Sequence, residues 1–151
     1  MGNREFVIDT QVLYEAENTT SPFFLHALAF LASLAQHTGH YIAVDYEHRI
    51  LDEYQRMFTQ STLKSAQKMF LHLQHHNRIQ FYPGEVYQAV QDELLAIGFD
   101  DADLPFVGTA ARSTDKLLIA EESDYSSPVK ALLDQGLGIK VLAMREASSR
   151  L

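Results

Sequence analysis

Five short runs of strand-forming residues, separated by longer stretches of helical periodicity, constrain this chain more than any other feature. The runs are Phe6–Ile8, Tyr41–Val44, Ile79–Tyr82, Leu117–Ala120 and Ile139–Leu142. Strands that alternate with helices have connections long enough for crossovers. The pattern predicts an α/β fold: a three-layer sandwich with a central parallel sheet of about five strands and helices on both faces. Phe6, Val7 and Ile8 carry no polar break, as expected of a central strand covered on both sides. Asp9 ends that run. In open α/β sheets, ligands bind outside the carboxyl ends of the strands, so Asp9 stands where chemistry is usually found. The alternative is that it only caps the helix that follows, Gln11 to Asn18.

The length of 151 residues fits one domain, with residues 1–144 forming it and a loose tail from 145 to 151. The absence of cysteine excludes disulfides and thiolate metal sites and accords with the cytoplasm. Met1–Arg4 lead directly into a strand, with no signal peptide in view. Phe23–Ala35 is apolar except for His26 and Ser33. A membrane span needs about 20 such residues, so this run reads as a buried core helix, with one face open to a dimer interface. Ser21 and Pro22 mark its start and Gly39 its end. The net charge of −8 argues against nucleic-acid binding through the whole surface. It leaves room for a local basic stripe, or for carboxylates acting through a divalent cation.

Further along, Asp45 is a natural cap for a helix from Tyr46 to Phe58, in which Ile50, Leu51, Tyr54 and Met57 form the buried stripe. Glu53 lies at the edge of that stripe, either as a solvated flank or as an inward group. Ser61 to His76 reads as another helix, with Leu63, Ala66, Phe70 and Leu73 inward. Lys64, Lys68 and His72 recur four apart on a different face, followed by His75, His76 and Arg78. This is either a solvated face or a stripe that tracks phosphates. Glu85 to Ile97 is helical, with Val86, Val90, Leu94 and Ile97 inward and Gly98 as the stop. Asp100, Asp101 and Asp103 crowd the start of a helix running to about Thr114, where small residues imply close packing on the sheet. Glu121, Glu122 and Asp124 follow the fourth strand. Pro128 to Gln135 is a last helix, broken by Gly136 and Gly138.

A parallel sheet brings Asp9, Asp103, and Glu122 or Asp124 to one edge, and Glu53 can reach in from its helix. Carboxylates in that arrangement repel by about 3 kcal/mol per close pair at an effective dielectric near 20. The natural compensation is Mg²⁺ or Mn²⁺, hard cations that take oxygen ligands and can activate water against a phosphodiester. Motifs for competing chemistries are absent: no Walker A sequence, no Gly-x-Ser-x-Gly elbow, and no Gly-x-Gly-x-x-Gly after the first strand.

At these residues the chain resembles the PIN-domain nucleases, especially the VapC-like toxins of bacterial toxin–antitoxin pairs. Val7-Ile8-Asp9-Thr10-Gln11-Val12-Leu13 is similar to the family's first motif, whose aspartate ligates metal. Ile50-Leu51-Asp52-Glu53-Tyr54 resembles the second, which carries a glutamate. Asp103-Leu104-Pro105-Phe106-Val107 resembles the third, an aspartate opening the helix before the fourth strand. Ala120-Glu121-Glu122-Ser123-Asp124-Tyr125 resembles the fourth, usually Thr-x-Asp-x-Asp-Phe, with Ala120 in place of Thr and Glu122 in place of Asp. The resemblance covers nearly the whole chain.

The resemblance implies a metal-dependent endoribonuclease in which Asp9, Glu53 and Asp103 hold Mg²⁺ or Mn²⁺ and Glu122 or Asp124 completes the site. Lys64, Lys68 and Arg112 are then candidates for contacts to RNA phosphates. It also implies a homodimer and a cognate antitoxin protein, with the apolar helix from Phe23 a candidate for such contacts. Two other readings stand beside it. One is a PIN-fold module that binds protein or RNA without catalysis, motivated by Glu122 and the acidic charge. The other is a phosphoacceptor receiver domain, which wants paired acids after the first strand and a lysine ending the last; here Asp9 stands alone and Lys140 lies inside its strand.

Overall fold

The computed structural model describes residues 4–121, 125–149 and 151. Its strands are β1 (Arg4–Ile8), β2 (His40–Asp45), β3 (Ile79–Tyr82), β4 (Leu117–Ile119) and β5 (Lys140–Leu142). The helices are α1 (Thr10–Glu15), α2 (Phe24–Gln36), α3 (Arg49–Gln60), α4 (Ser65–His75), α5 (Gln88–Ala96), α6 (Leu104–Arg112), α7 (Ser127–Leu137) and α8 (Met144–Ser148). A single 3-10 turn, Asp101–Asp103, leads into α6. Boundaries differ from the sequence expectation mostly by one to four residues, as helix ends do when local hydrogen bonding decides them.

The five strands form one all-parallel sheet in the order β3-β2-β1-β4-β5. The chain builds outward from β1 through β2 to β3, then crosses back to lay β4 on the other side of β1. The order therefore reverses between β1 and β4, which opens a crevice at the carboxyl end of β1. Phe6, Val7 and Ile8 are each fully buried, although successive side chains of a strand point to opposite faces. Ile42, Ala43 and Val44 on β2 are likewise buried. Only a sheet covered on both faces accounts for this, and the fold is the three-layer α/β sandwich that the strand–helix alternation predicts.

The small residues of α6 allow the close packing expected of them. A Cβ at Gly108 would lie 2.1 Å from the carbonyl oxygen of Gly84, and one at Gly84 would lie 2.7 Å from Cβ of Asp45. These two glycines let α6 settle against the exit of β3 and against the end of β2.

Several expectations are corrected. Helix α2 is apolar all round but buried on one side only: Ala27, Phe30, Leu31 and Leu34 face inward while Leu25 is 73 % exposed. Its neighbours α1, α4 and α8 leave its outer face uncovered. His26 is exposed as well. Leu63 is outside the core because Lys64 takes a left-handed conformation (φ 63°), which delays the start of α4 to Ser65. Ile97 is exposed because α5 closes at Gly98 (φ 85°), where Phe99 turns inward and its amide donates to the Leu94 carbonyl at 3.0 Å. Gly136 does not break α7. It lies within the helix, where a Cβ would come 3.4 Å from Val90 of α5, and Gly138 (φ 71°) ends the helix instead. Residues 145–148, expected in a loose tail, belong to α8, which packs on α2 with Met144 and Ala147 buried. Among the described residues, no helix is long and apolar enough to cross a membrane.

His40 gives the fold a pH dependence. It is buried at the start of β2, edge-on to Phe6, beside His37 and near Arg4 and Arg78. Burial, then the neighbouring positive groups, holds its pKa below the ordinary histidine value. The unfolded chain therefore takes up the proton first as pH falls. Stability from this group is fully present above about pH 6.5 and declines on acidification through the window between that value and the depressed folded one. Chemical denaturation at pH 7.5 and 5.5 is expected to show a loss of stability that is reduced in His40→Phe. An equal loss in both proteins would remove His40 as its cause.

Candidate functional site

The acids that crowd the strand ends separate into two kinds. Asp45 and Asp100 are caps. Asp45 is fully buried and its carboxylate accepts from the amides of Arg49 at 3.1 Å and Ile50 at 2.9 Å, fixing the start of α3. Asp100 accepts from the amide of Ala102 at 3.0 Å. Asp9 and Asp103 occupy the N-cap positions of α1 and α6, yet neither side chain makes a capping hydrogen bond. They are only 5 % and 8 % exposed. The capping role that sequence logic offered for Asp9 is not the one its side chain performs.

Asp9 lies in the crevice at the strand-order reversal, where its backbone amide donates to the Ile119 carbonyl of β4 at 2.9 Å. Glu53 reaches the same edge from α3. Its Oε2 accepts from Thr10 Oγ1 at 2.9 Å, so the residue after Asp9 holds the glutamate in place. Of the two readings open for Glu53, a solvated flank or an inward group, the structure supports the inward one. The 3-10 turn and the start of α6 face Glu53 across a groove of about 320 Å³, lined also by Arg49, Arg56 and Asp101. Asp103 closes the 3-10 turn and directly precedes α6, between Ala102 and Pro105 of the groove lining in sequence.

Tyr54 reports on the electrostatics. It is fully buried, and its hydroxyl donates to the Ile8 carbonyl at the end of β1. Burial first, then the negative charges of Asp9 and Glu53, pushes its phenol well above the ordinary tyrosine range. The charges of Asp9 and Glu53 therefore both bear on the end of β1, where the Tyr54 hydroxyl is held. Carboxylate oxygens have the donor chemistry of a site for a hard divalent cation. Among the described residues, no three His, Asp or Glu side chains come together as a metal-holding group. The two candidates for the fourth acid, Glu122 and Asp124, lie outside the described residues. Glu121 is engaged elsewhere, accepting from the Met144 amide at 3.0 Å and so tying the end of β4 to α8.

The cations expected to track RNA are placed differently from one another. Lys64 donates through Nζ to the Phe58 carbonyl at 2.6 Å, closing the last turn of α3. Arg112 donates to the Glu85 carbonyl and lies 5.2 Å from the Tyr87 ring centre, holding the segment after β3 onto α6. It also sits at the far end of α6 from Asp103. Both side chains are thus engaged with backbone carbonyls, Lys64 at the end of α3 and Arg112 in the segment before α5. Lys68 is exposed beside His72 and His75 on α4, which leads into the amino end of β3, opposite Asp9. Arg78, counted in the same stripe, is buried and turned inward.

Sequence reasoning missed Thr10, Arg49 and Arg56 and read Tyr54 as core alone. Only the adjacency of Thr10 to Asp9 carried a signal, and the arginines gave none because their groove forms between elements distant in sequence. No protein-family model, curated protein or solved structure matches the chain.

Proposed function

We propose that this protein is a Mg²⁺- or Mn²⁺-dependent endoribonuclease of the PIN type, hydrolysing RNA phosphodiester bonds at the carboxyl edge of its sheet. One observation carries the reading. Asp9 and Asp103 stand buried at helix starts without serving as caps, while Asp45 and Asp100 do the capping. Burying a carboxylate costs free energy, and a helix start that uses its acid as a cap recovers part of it. Two acids that forgo this role are placed for another.

Asp9, Glu53 and Asp103, with Glu122 or Asp124, would hold the cation. A divalent ion bound by such residues lowers the pKa of its water and polarises a phosphodiester oxygen. The chain's own residues supply the remaining requirements. Thr10, the residue after Asp9, donates to Glu53 and holds its carboxylate. Tyr54 bolts the end of β1 to α3, so that Asp9 and Glu53 keep a fixed relation. Arg49 and Arg56 line the groove beside Glu53 and offer charge to a polyanion that the acidic edge would otherwise repel. As a toxin of a toxin–antitoxin pair it would act in the cytoplasm as a homodimer held by an antitoxin. The uncovered face of α2, with Phe23 and Leu25 outward, suits such a contact.

A calorimetric Mn²⁺ titration, paired with an assay on single-stranded RNA, tests the reading. Binding heat and Mn²⁺-stimulated cleavage are expected, and absence of both overturns it. One alternative is a binding module that has lost catalysis, which Glu122 in place of Asp motivates. Metal binding with no cleavage of any RNA tried would select it.

A further inference from the structure

Beside the acidic edge, three aromatic rings stand in the open. Tyr46 follows β2 directly and is 62 % exposed, and Phe81 on β3 is 37 % exposed. Their rings lie 6.1 Å apart and within 21° of parallel. His48 leans over Phe81 at 5.9 Å from a left-handed backbone conformation (φ 63°). A non-glycine residue in that region is uncommon, and such conformations concentrate at functional positions. A protein of this size covers large aromatic rings where it can, so exposed and mutually aligned rings call for an explanation.

Their position supplies one. Val44 is in register with Phe81 and Asp45 with Tyr82, so the rings sit at the carboxyl edge of the sheet, the edge that carries Asp9. Arg49 follows His48 at the first position of α3, with a half-exposed side chain. Glu53 comes four residues later, about 6 Å along the helix at 1.5 Å per residue. Arg49 therefore stands between the rings and the groove that holds Glu53 and Arg56. Glu47 is exposed in the same turn, and the buried carboxylate of Asp45 lies 3.7 Å from the Arg49 guanidinium, leaving the outer side of that group open. Flat rings beside a guanidinium bind an unstacked base and its phosphate, the combination by which proteins hold single strands.

We propose that Tyr46, Phe81 and His48 form a stacking platform for an unpaired base of single-stranded RNA, with Arg49 on the phosphate that leads toward Glu53. The choice of RNA rests on the nuclease reading; the stacking itself does not. The platform restricts the substrate to unpaired segments, because a base inside a duplex has both faces covered by its neighbours.

The test is fluorescence anisotropy with a labelled single strand of about ten uridines, within the usual site size of stacking proteins. Chelator is present so that nothing is cleaved. Tyr46→Ala is expected to weaken binding by about 5- to 100-fold, the range for losing one stacked base, and Tyr46→Phe to retain it. A strand with abasic positions should bind weakly and be indifferent to Tyr46→Ala. Equal binding by wild type and Tyr46→Ala overturns the platform and leaves the rings to a protein partner. No binding by wild type at about 100 µM, the weak end of nonspecific association, overturns it as well. Cleavage is scored separately in Mn²⁺. Stacking without cleavage removes the nuclease reading and keeps the platform; cleavage with an indifferent Tyr46→Ala does the reverse.

Discussion

Asp9→Asn is expected to abolish Mn²⁺-dependent RNA cleavage and to leave the metal-free protein more stable than wild type. The amide keeps the shape of the carboxylate and removes its charge. Under the nuclease reading, rate falls by about 10³-fold or more, roughly 4 kcal/mol of transition-state stabilisation. Stability moves the other way. Asp9 is buried near Glu53, and both charges bear on the Tyr54 phenol after the effect of burial itself. Relieving one such repulsion gains about 1 kcal/mol or more at an effective dielectric near 20. For a chain of this length that raises the melting temperature by about 2–4 °C. Undiminished cleavage in the variant would take Asp9 out of the chemistry. A lower melting temperature in chelator would show that the bonds made by the carboxylate outweigh the repulsion.

Arg78→Met should be the most damaging single change to the fold among those considered. The guanidinium donates to the Leu34 carbonyl at 2.7 Å, to the Ala35 carbonyl at 3.1 Å from each Nη, and to the His40 carbonyl at 3.0 Å. Two of those carbonyls belong to the last turn of α2, where no intrahelical amide can reach them. A positive group at a helix carboxyl end is favoured by the helix dipole. The same burial that makes these bonds strong lowers the pKa of Arg78, as desolvation does to any cation. Methionine fills the space and leaves three carbonyls unpaired, a loss of about 3 kcal/mol once the relief of the buried charge is counted. That corresponds to a melting temperature lower by about 6–12 °C. Arg78→Lys should recover little, since one ammonium cannot reproduce the planar fork. A thermal melt of Arg78→Met within 2 °C of wild type, a shift of about 0.5 kcal/mol, would refute this role.

Arg78 also shows why parts of this molecule were not legible in advance. Following three histidines and a stripe with two lysines, it reads as one more exposed cation. Its bonds go to residues 38 to 44 positions away, which no local pattern encodes. The same holds for α2. Its sequence is apolar on every side, which predicts full burial, yet the number of neighbouring helices available to cover it was a property of the assembled fold. For α8 the reverse occurred: the polar stretch from Arg145 looked loose, yet residues 145–148 continue a helix from Met144 and Ala147 is buried. By contrast, all five strands, their parallel arrangement and the position of Asp9 at the end of the first were readable from short runs and their spacing. Those signals are local, because a strand buried on both faces must be continuously apolar.

The acids divide along the same line. Asp9 and Asp103 were identifiable at a strand end and a helix start, Glu53 at the edge of a helix stripe, and the alternation of strands with helices was enough to bring strand ends to a common edge. That Asp45 and Asp100 cap, while Asp9 and Asp103 do not, was decided only in three dimensions. A carboxylate chooses between a helix amide and another partner according to where its element is held. Asp45 is pressed by the close approach of Gly84 against the amides of α3. Glu53 is turned by Thr10, which lies 43 residues away in the chain. The sequence determined which side chains reach the carboxyl edge, because secondary-structure periodicity is written residue by residue. Tertiary structure decided what each one does there, because hydrogen bonding and burial depend on neighbours that the order of residues does not specify.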